Sequence, residues 1–479
     1  MSKKIAVVGA GIGGLASAAR LGYKGHKVEV YEKLNRPGGR CNIIEDKGFK
    51  FDTGPSFVLM PDFFEEVFSY CGQNLKDYLN LVVIDPSYKV FYPDGDCITV
   101  YKDSEKTKEE LERVERGAAG AFDAFIKEVT RIYNVTRPLL YKSFSPKDLL
   151  NLSYLPLLGQ LKPFQSYWQL AGKFFKSDKL RYLFTFEAMF IGVSPFDSPA
   201  FYSVISYTDH VQKIYHPIGG MYCIAKALES MAKKFGVSIN YEQEVKSIAA
   251  SKDGVSLDFG GQREVFDKAV VNADYAYTQS TLLKRKIPKY KYSCSVYLMY
   301  LGLKQKVGGL AHHNLFFSSD LRKNLNQIFS QKTVPDDPSF YVHVPTVTDA
   351  TLAPSGKEIF YVLVPVPNLE GGTDAARSEE KIKQHVFRVL NKNLGLKIED
   401  LVETQHAFYP YDFISRYNIK YGATFGLSHN LMQSAFFRPA NLDSRIKNLY
   451  YTGASTQPGG GLPVVIASSR IVADLVDGN

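Results

Sequence analysis

The stretch Val7–Gly14 reads VVGAGIGG and decides how the chain begins. Lys4–Val8 predicts a short buried strand, Ile12–Gly25 a helix and Val28–Tyr31 a second strand, so these glycines sit at a strand-to-helix turn. In that setting G-x-G-x-x-G has a physical meaning. Gly9 permits the tight turn, Gly11 lets a pyrophosphate approach the backbone, and Gly14 lets helix and strand pack closely, with Ile12 and Gly13 between them. The phosphates then rest on the positive end of the helix. Glu32 closes the second strand eighteen residues after Gly14, placed to accept hydrogen bonds from a ribose, and Lys33 lies beside it. The unit predicts an α/β protein with a Rossmann-like dinucleotide-binding domain.

The next residues choose the dinucleotide. Arg36-Pro37-Gly38-Gly39-Arg40 is a continuation seen in two-domain flavoproteins rather than nicotinamide dehydrogenases, and it points to FAD. Gly38 and Gly39 let the loop pass close to the cofactor, and Arg40 offers charge-assisted hydrogen bonds to phosphate. The plainer alternative is a Pro-Gly turn carrying a surface arginine. Near the far end of the sequence, Tyr451–Arg470 reads YTGASTQPGGGLPVVIASSR. A strand at Leu449–Gly453 leads into three glycines, Gly459–Gly461, and a helix-like run, which makes a second glycine-rich loop that carries almost no charge.

Length and composition bound the rest. With 479 residues, 45% hydrophobic and 22% charged, the chain has an ordinary soluble balance and room for two or three cores. Five scattered cysteines without a C-x-x-C pair fit a reducing interior. The Met-Ser-Lys-Lys start runs straight into a strand, so no signal peptide is expected, and no apolar run approaches the ~18–20 residues that span a bilayer. Net charge is +9, and part of it is concentrated. Between Arg131 and Arg181 nine basic residues face two acids, interleaved with nine aromatics and the run LPLLGQL. Such a surface suits an anionic lipid headgroup layer, with a solvated basic helical face as the alternative. No recognised motif supports nucleic-acid binding. His312-His313 has no third ligand at metal spacing, so no metal is expected, and Ser468-Ser469 lacks a nucleophile elbow.

Taken together, these stretches resemble the bacterial-type carotenoid desaturases, the phytoene and dehydrosqualene desaturase family related to amine oxidases. Besides GAGIGG and RPGGR, the likeness is carried by Phe51–Ser56 (FDTGPS), Ile191–Pro195 (IGVSP), His216–Leu228 (HPIGGMYCIAKAL), Tyr292–Tyr300, Leu310–Asn314 and Asp337–Lys357. It runs in order along nearly the whole chain. The resemblance implies a discontinuous FAD domain from residues 1–65, 213–280 and 441–479. A substrate domain of mixed sheet and helices would come from 66–212 and 281–440, with 131–181 as its helical membrane-associating part. It implies that the second loop returns to the first, so that a helix end supports the negative charge of a reduced flavin ring. Pro55, Val245, Asn272, Ala273, Asp274, Gly453, Gly461, Leu462, Val464 and Val465 would then lie along the cofactor. Relatives usually read T-H-P-G where this chain has Thr456-Gln457-Pro458-Gly459, and Gln457 cannot replace an acid–base histidine.

The implied chemistry is desaturation of a linear C30 or C40 isoprenoid hydrocarbon, by hydride loss to flavin N5 and proton loss from the adjacent carbon. Quinone or oxygen would reoxidise the flavin, in a cytoplasmic protein held peripherally on the membrane. The substrate site would be an apolar tunnel, for which Phe190, Phe201 and Tyr207 are candidate walls. Asp148 is the one acid with a motive for catalysis, since relatives carry an acid in a comparable stretch. Ser145-Pro146-Lys147-Asp148 is also a good helix start, with Ser145 as N-cap and Pro146 at the first helical position. Rival functions are a carotenoid isomerase or end-group oxidase, and a non-catalytic prenyl-lipid carrier.

Overall fold

The computed structural model describes residues 2–145, 147, 148, 151, 154–372 and 378–478. Five strands lie parallel in the order Leu449–Tyr451, Lys268–Val271, Lys4–Val8, Lys27–Tyr31 and Ser238–Asn240. The run KIAVV is apolar almost throughout because both of its faces are covered. Ile5 and Val7 face a core that includes the helices Ile12–Tyr23, Tyr222–Lys234 and Leu462–Asp477. Ala6 and Val8 face the opposite core, formed with the antiparallel strands Ser247–Ser251, Gly254–Asp258 and Arg263–Phe266. The sheet therefore draws its strands from the beginning, the middle and the end of the sequence.

A second sheet of seven strands runs Val402–Phe408, Ser295–Leu303, Glu358–Val366, Phe340–His343, His313–Phe316, Tyr88–Phe91 and Cys97–Val100. It is antiparallel except where His313–Phe316 meets Tyr88–Phe91. Ser295–Leu303 is buried at every position, because Glu358–Val366 pairs with it on one side and Val402–Phe408 on the other.

Among the described residues, helices make up most of 104–210, including Ala118–Thr136, Tyr167–Ala171 and Asp178–Thr185. Of the nine basic residues between 131 and 181, five sit in ion pairs. Arg131 and Lys162 share Glu128, Arg137 meets Asp62, Lys179 meets Asp94 and Asp96, and Arg181 meets Asp178. Phe164 lies 87% exposed in the same region. Among the described residues no helix is long and apolar enough to cross a membrane.

Candidate functional site

The carboxyl ends of the parallel strands open into a cavity of about 660 Å³. The residues that leave those strands, Gly9, Glu32, Asn272 and Thr452, all line it, as expected for an open parallel sheet. The first glycine loop is packed too tightly for side chains. A Cβ on Gly14 would lie 2.1 Å from the Gly9 carbonyl oxygen, so helix and strand meet there only because residue 14 has no side chain. Asn272 wedges against the same loop, and its amide would meet a Cβ on either Gly11 or Gly13 at 2.7 Å.

Two helix N-termini enter the cavity. The helix Ile12–Tyr23 begins after Gly11 and the helix Leu462–Asp477 after Gly461; neither has a side-chain cap, and neither carries an acid in its first turn. Their leading amides are thus left for a ligand, which favours anionic or electron-rich groups at both places. Glu32 is buried at the end of the second strand. Its carboxylate accepts from the backbone N–H groups of Ala10 (2.7 Å) and Leu34 (2.9 Å). Burial pushes its pKa up, and those two bonds partly offset this. Arg40 donates to the Thr424 carbonyl (2.6 Å); burial lowers its pKa, opposed by the charge of Asp274.

The second loop is held by residues that motif reading passes over. Arg438 is buried, and its guanidinium donates to the carbonyls of Thr456 (2.9 Å), Gln433 (3.1 Å) and Ala454. Asn441 donates to the carbonyls of Tyr451 (3.0 Å) and Gln457 (2.9 Å). His429 accepts the Gly460 N–H at 3.0 Å through Nε2, and burial keeps it neutral. Such anchors leave no local signature, since each is recognisable only by the distant carbonyls it gathers. Gln457 takes a structural position as well. Its side chain accepts the Phe144 N–H (2.6 Å) and donates to the carbonyls of Phe144 (2.9 Å), Ala435 (3.1 Å) and Arg438 (3.2 Å).

Nineteen of the twenty residues expected along the cofactor line this one cavity, Pro55, Val245 and Gly461–Val465 among them. Gly14 is the twentieth and lies behind the loop. Asp148 is not on the cavity wall. Its exposed carboxylate accepts from the backbone N–H (2.6 Å) and hydroxyl (2.8 Å) of Ser145, the reciprocal bond of a helix start. Pro146 lies outside the described residues. Phe190 and Phe201 are on the wall, whereas Tyr207 stacks on Tyr133 with ring centroids 4.0 Å apart. His312 is joined by residues that sequence spacing cannot reveal. His216 and His343 come beside it, all three buried.

Two uncapped helix ends and a buried acid after the second strand, on one cavity whose wall also carries Phe190 and Phe201, define a dinucleotide-dependent oxidoreductase with a two-loop cofactor site. The chain belongs to the flavin containing amine oxidoreductase family, whose profile matches residues 12–477, and FAD is its cofactor. It is 39% identical to a zeta-carotene-forming phytoene desaturase of Myxococcus xanthus, over 98% of this chain and 93% of that one. It is 35% identical to a 4,4'-diapophytoene desaturase (4,4'-diaponeurosporene-forming) of Staphylococcus aureus, over 98% of each. Among solved structures, an oxidoreductase from Methanosarcina mazei superposes with a TM-score of 0.66 at 18% identity, covering 97% of this chain and 98% of that one. Putrescine oxidase bound to putrescine gives 0.65 at 16%, over 100% and 99%. These two likenesses concern the fold.

Proposed function

We propose that the protein introduces conjugated double bonds into a linear C30 or C40 isoprenoid hydrocarbon, as the names of its relatives say of them. The observation that carries this is the distribution of charge around the cavity. Its charged lining residues among those described are Glu32, Lys33, Arg40, Glu244, Asp274 and Arg416, and none comes from 136–208 or 294–365. Those stretches contribute walls such as Phe186, Met189, Phe190, Leu298, Phe317 and Leu363. One end suits a dinucleotide, and the other suits a ligand with no polar handle.

FAD, when bound, supplies the hydride acceptor. The protein's part is to bind and align. Glu32 would hold the ribose, the amides after Gly11 the pyrophosphate, and the Gly461–Val465 turn the ring. The apolar walls exclude water and hold the hydrocarbon beside the ring, where hydride loss next to an existing double bond leaves a delocalised cation. A membrane would deliver such a substrate. The exposed Phe164, together with Met432 (66% exposed) and Phe437 (43% exposed), supports lipid contact better than the largely paired basic residues do. We assign electron transfer onward to a quinone or oxygen.

The test is incubation of the purified, flavin-loaded protein with phytoene and with dehydrosqualene in liposomes. New long-wavelength polyene absorption is expected from at least one. Recovery of both substrates unchanged by a yellow, folded protein with a suitable acceptor present rejects the proposal.

A further inference from the structure

Four of the chain's nine histidines, His216, His312, His313 and His343, gather in one buried cluster away from the cavity lining. Ring centroids lie 4.9 Å apart for His216 and His312 and 4.7 Å for His312 and His343. One ring nitrogen from each of His216, His312 and His343 falls within 4.8 Å of the other two. Two of the three rings have an orienting partner on one nitrogen. His312 Nδ1 lies 2.8 Å from the Thr348 hydroxyl, and His216 Nε2 lies 3.4 Å from Asp349 Oδ2. A proton on each of those nitrogens leaves His312 Nε2 and His216 Nδ1 with free lone pairs. His216 Nδ1 is buried and has no hydrogen-bond partner. His312 Nε2 and His343 Nε2 are 2.9 Å apart, a hydrogen-bond distance, so an ion held by two tetrahedral bonds of about 2.05 Å would spread them by a few tenths of an ångström.

We propose that His216, His312 and His343 bind one divalent transition-metal ion of the zinc class, with Asp349 and Thr348 as the outer partners that fix two of the rings. Three imidazole nitrogens suit zinc and its neighbours and not the hard ions magnesium or calcium. A carboxylate behind a ligating histidine is the usual device for orienting the ring and raising its basicity. The three ligands come from Tyr215–Pro217, from the residue just before His313–Phe316 and from the end of Phe340–His343. An ion there would fasten those segments together behind the cavity wall. His313 does not join them. Its Nδ1 is taken by the Tyr341 hydroxyl (2.7 Å), which in turn donates to Ser56 on the wall (2.9 Å).

A second buried group, Glu187, Asp209 and His210, also brings ligand atoms together. There two carboxyl groups face one another, and a shared proton satisfies them without an ion. One proton shared by His312 Nε2 and His343 Nε2 satisfies that pair alone and leaves His216 Nδ1 without a partner, a need that an ion would meet.

The experiment is metal analysis of the full-length, flavin-loaded protein after exposure to Zn²⁺ and exhaustive dialysis against metal-free buffer. About one equivalent of zinc is expected in the wild type. In His312→Asn and in His343→Asn the content should fall about tenfold or more, with flavin absorbance retained, while Asp209→Asn keeps its zinc. Zn²⁺ should also raise the melting temperature of the wild type and not of His312→Asn. Zinc near background in folded, yellow wild-type protein overturns the proposal whatever the variants do. So does zinc that survives His312→Asn/His343→Asn or is lost in Asp209→Asn.

Discussion

Gly13 and Val465 touch although they stand near opposite ends of the sequence: a Cβ on Gly13 would come within 2.9 Å of Val465 Cγ1 and 2.7 Å of the Asn272 side-chain oxygen. Gly13→Ala therefore pushes the two cofactor-facing helix ends apart. Overpacking of this kind costs about 1–3 kcal/mol. The variant should purify with less flavin per chain, read as the ratio of visible to ultraviolet absorbance. Gly13→Ala/Val465→Ala should recover part of it. Full flavin content in the single variant would show that the two helix ends act independently.

Gln457 ties the cofactor loop to Phe144 by bonds to both its N–H and its carbonyl. Gln457→Leu strands both backbone groups, each at a cost of about 1–3 kcal/mol if they stay buried. Flavin content should hold while turnover drops about tenfold and proteolysis between residues 142 and 154 speeds up. Gln457→Glu should be worse than Gln457→His, because an ionised carboxylate cannot donate to the carbonyls of Phe144, Ala435 and Arg438. Equal flavin loss and turnover loss would instead place the defect in cofactor binding.

Asp148 caps a turn, and hydrogen bonds from Ser145 hold its pKa below the ordinary carboxylate value. Asp148→Asn keeps an oxygen for the Ser145 N–H, so turnover should stay within about threefold of wild type. A loss of about a hundredfold or more in kcat, with the fold intact, would restore a proton-transfer role for this residue.

Asp52 accepts the N–H groups of Met221 (2.7 Å) and Tyr222 (2.9 Å) at the start of a helix, yet burial pushes its pKa up to about 6. The folded state then binds a proton that the unfolded chain has already lost between about pH 4 and 6. Stability should accordingly decline as pH rises through that window and level off above it, by an amount on the order of 3 kcal/mol. In Asp52→Asn that decline should shrink, as followed by urea midpoints at pH 4.5, 6 and 7.5. Identical pH profiles for the two proteins would remove Asp52 as its source.

How much of this was legible beforehand depended on how local each signal was. Lys4–Val8 was predicted with the bounds the structure gives it, because a short apolar run bounded by turn residues needs no distant information. The strand expected to reach Gly453 stops at Tyr451, where the chain leaves the sheet for the second loop. The glycines of both loops announced themselves by spacing. Arg438, Asn441 and His429 did not, because an arginine that collects carbonyls from three turns looks in sequence like any other arginine. The histidine cluster was hidden for the same reason, its members being separated by long stretches that only folding brings together.

The edge strand Leu449–Tyr451 and the helix behind it have a consequence for how the protein is made. These segments are synthesised long after the first glycine loop, so a nascent chain that has not yet made them has only half a cradle for its cofactor. Both halves of the FAD cradle therefore exist together only once the second loop has been made and has reached the sheet.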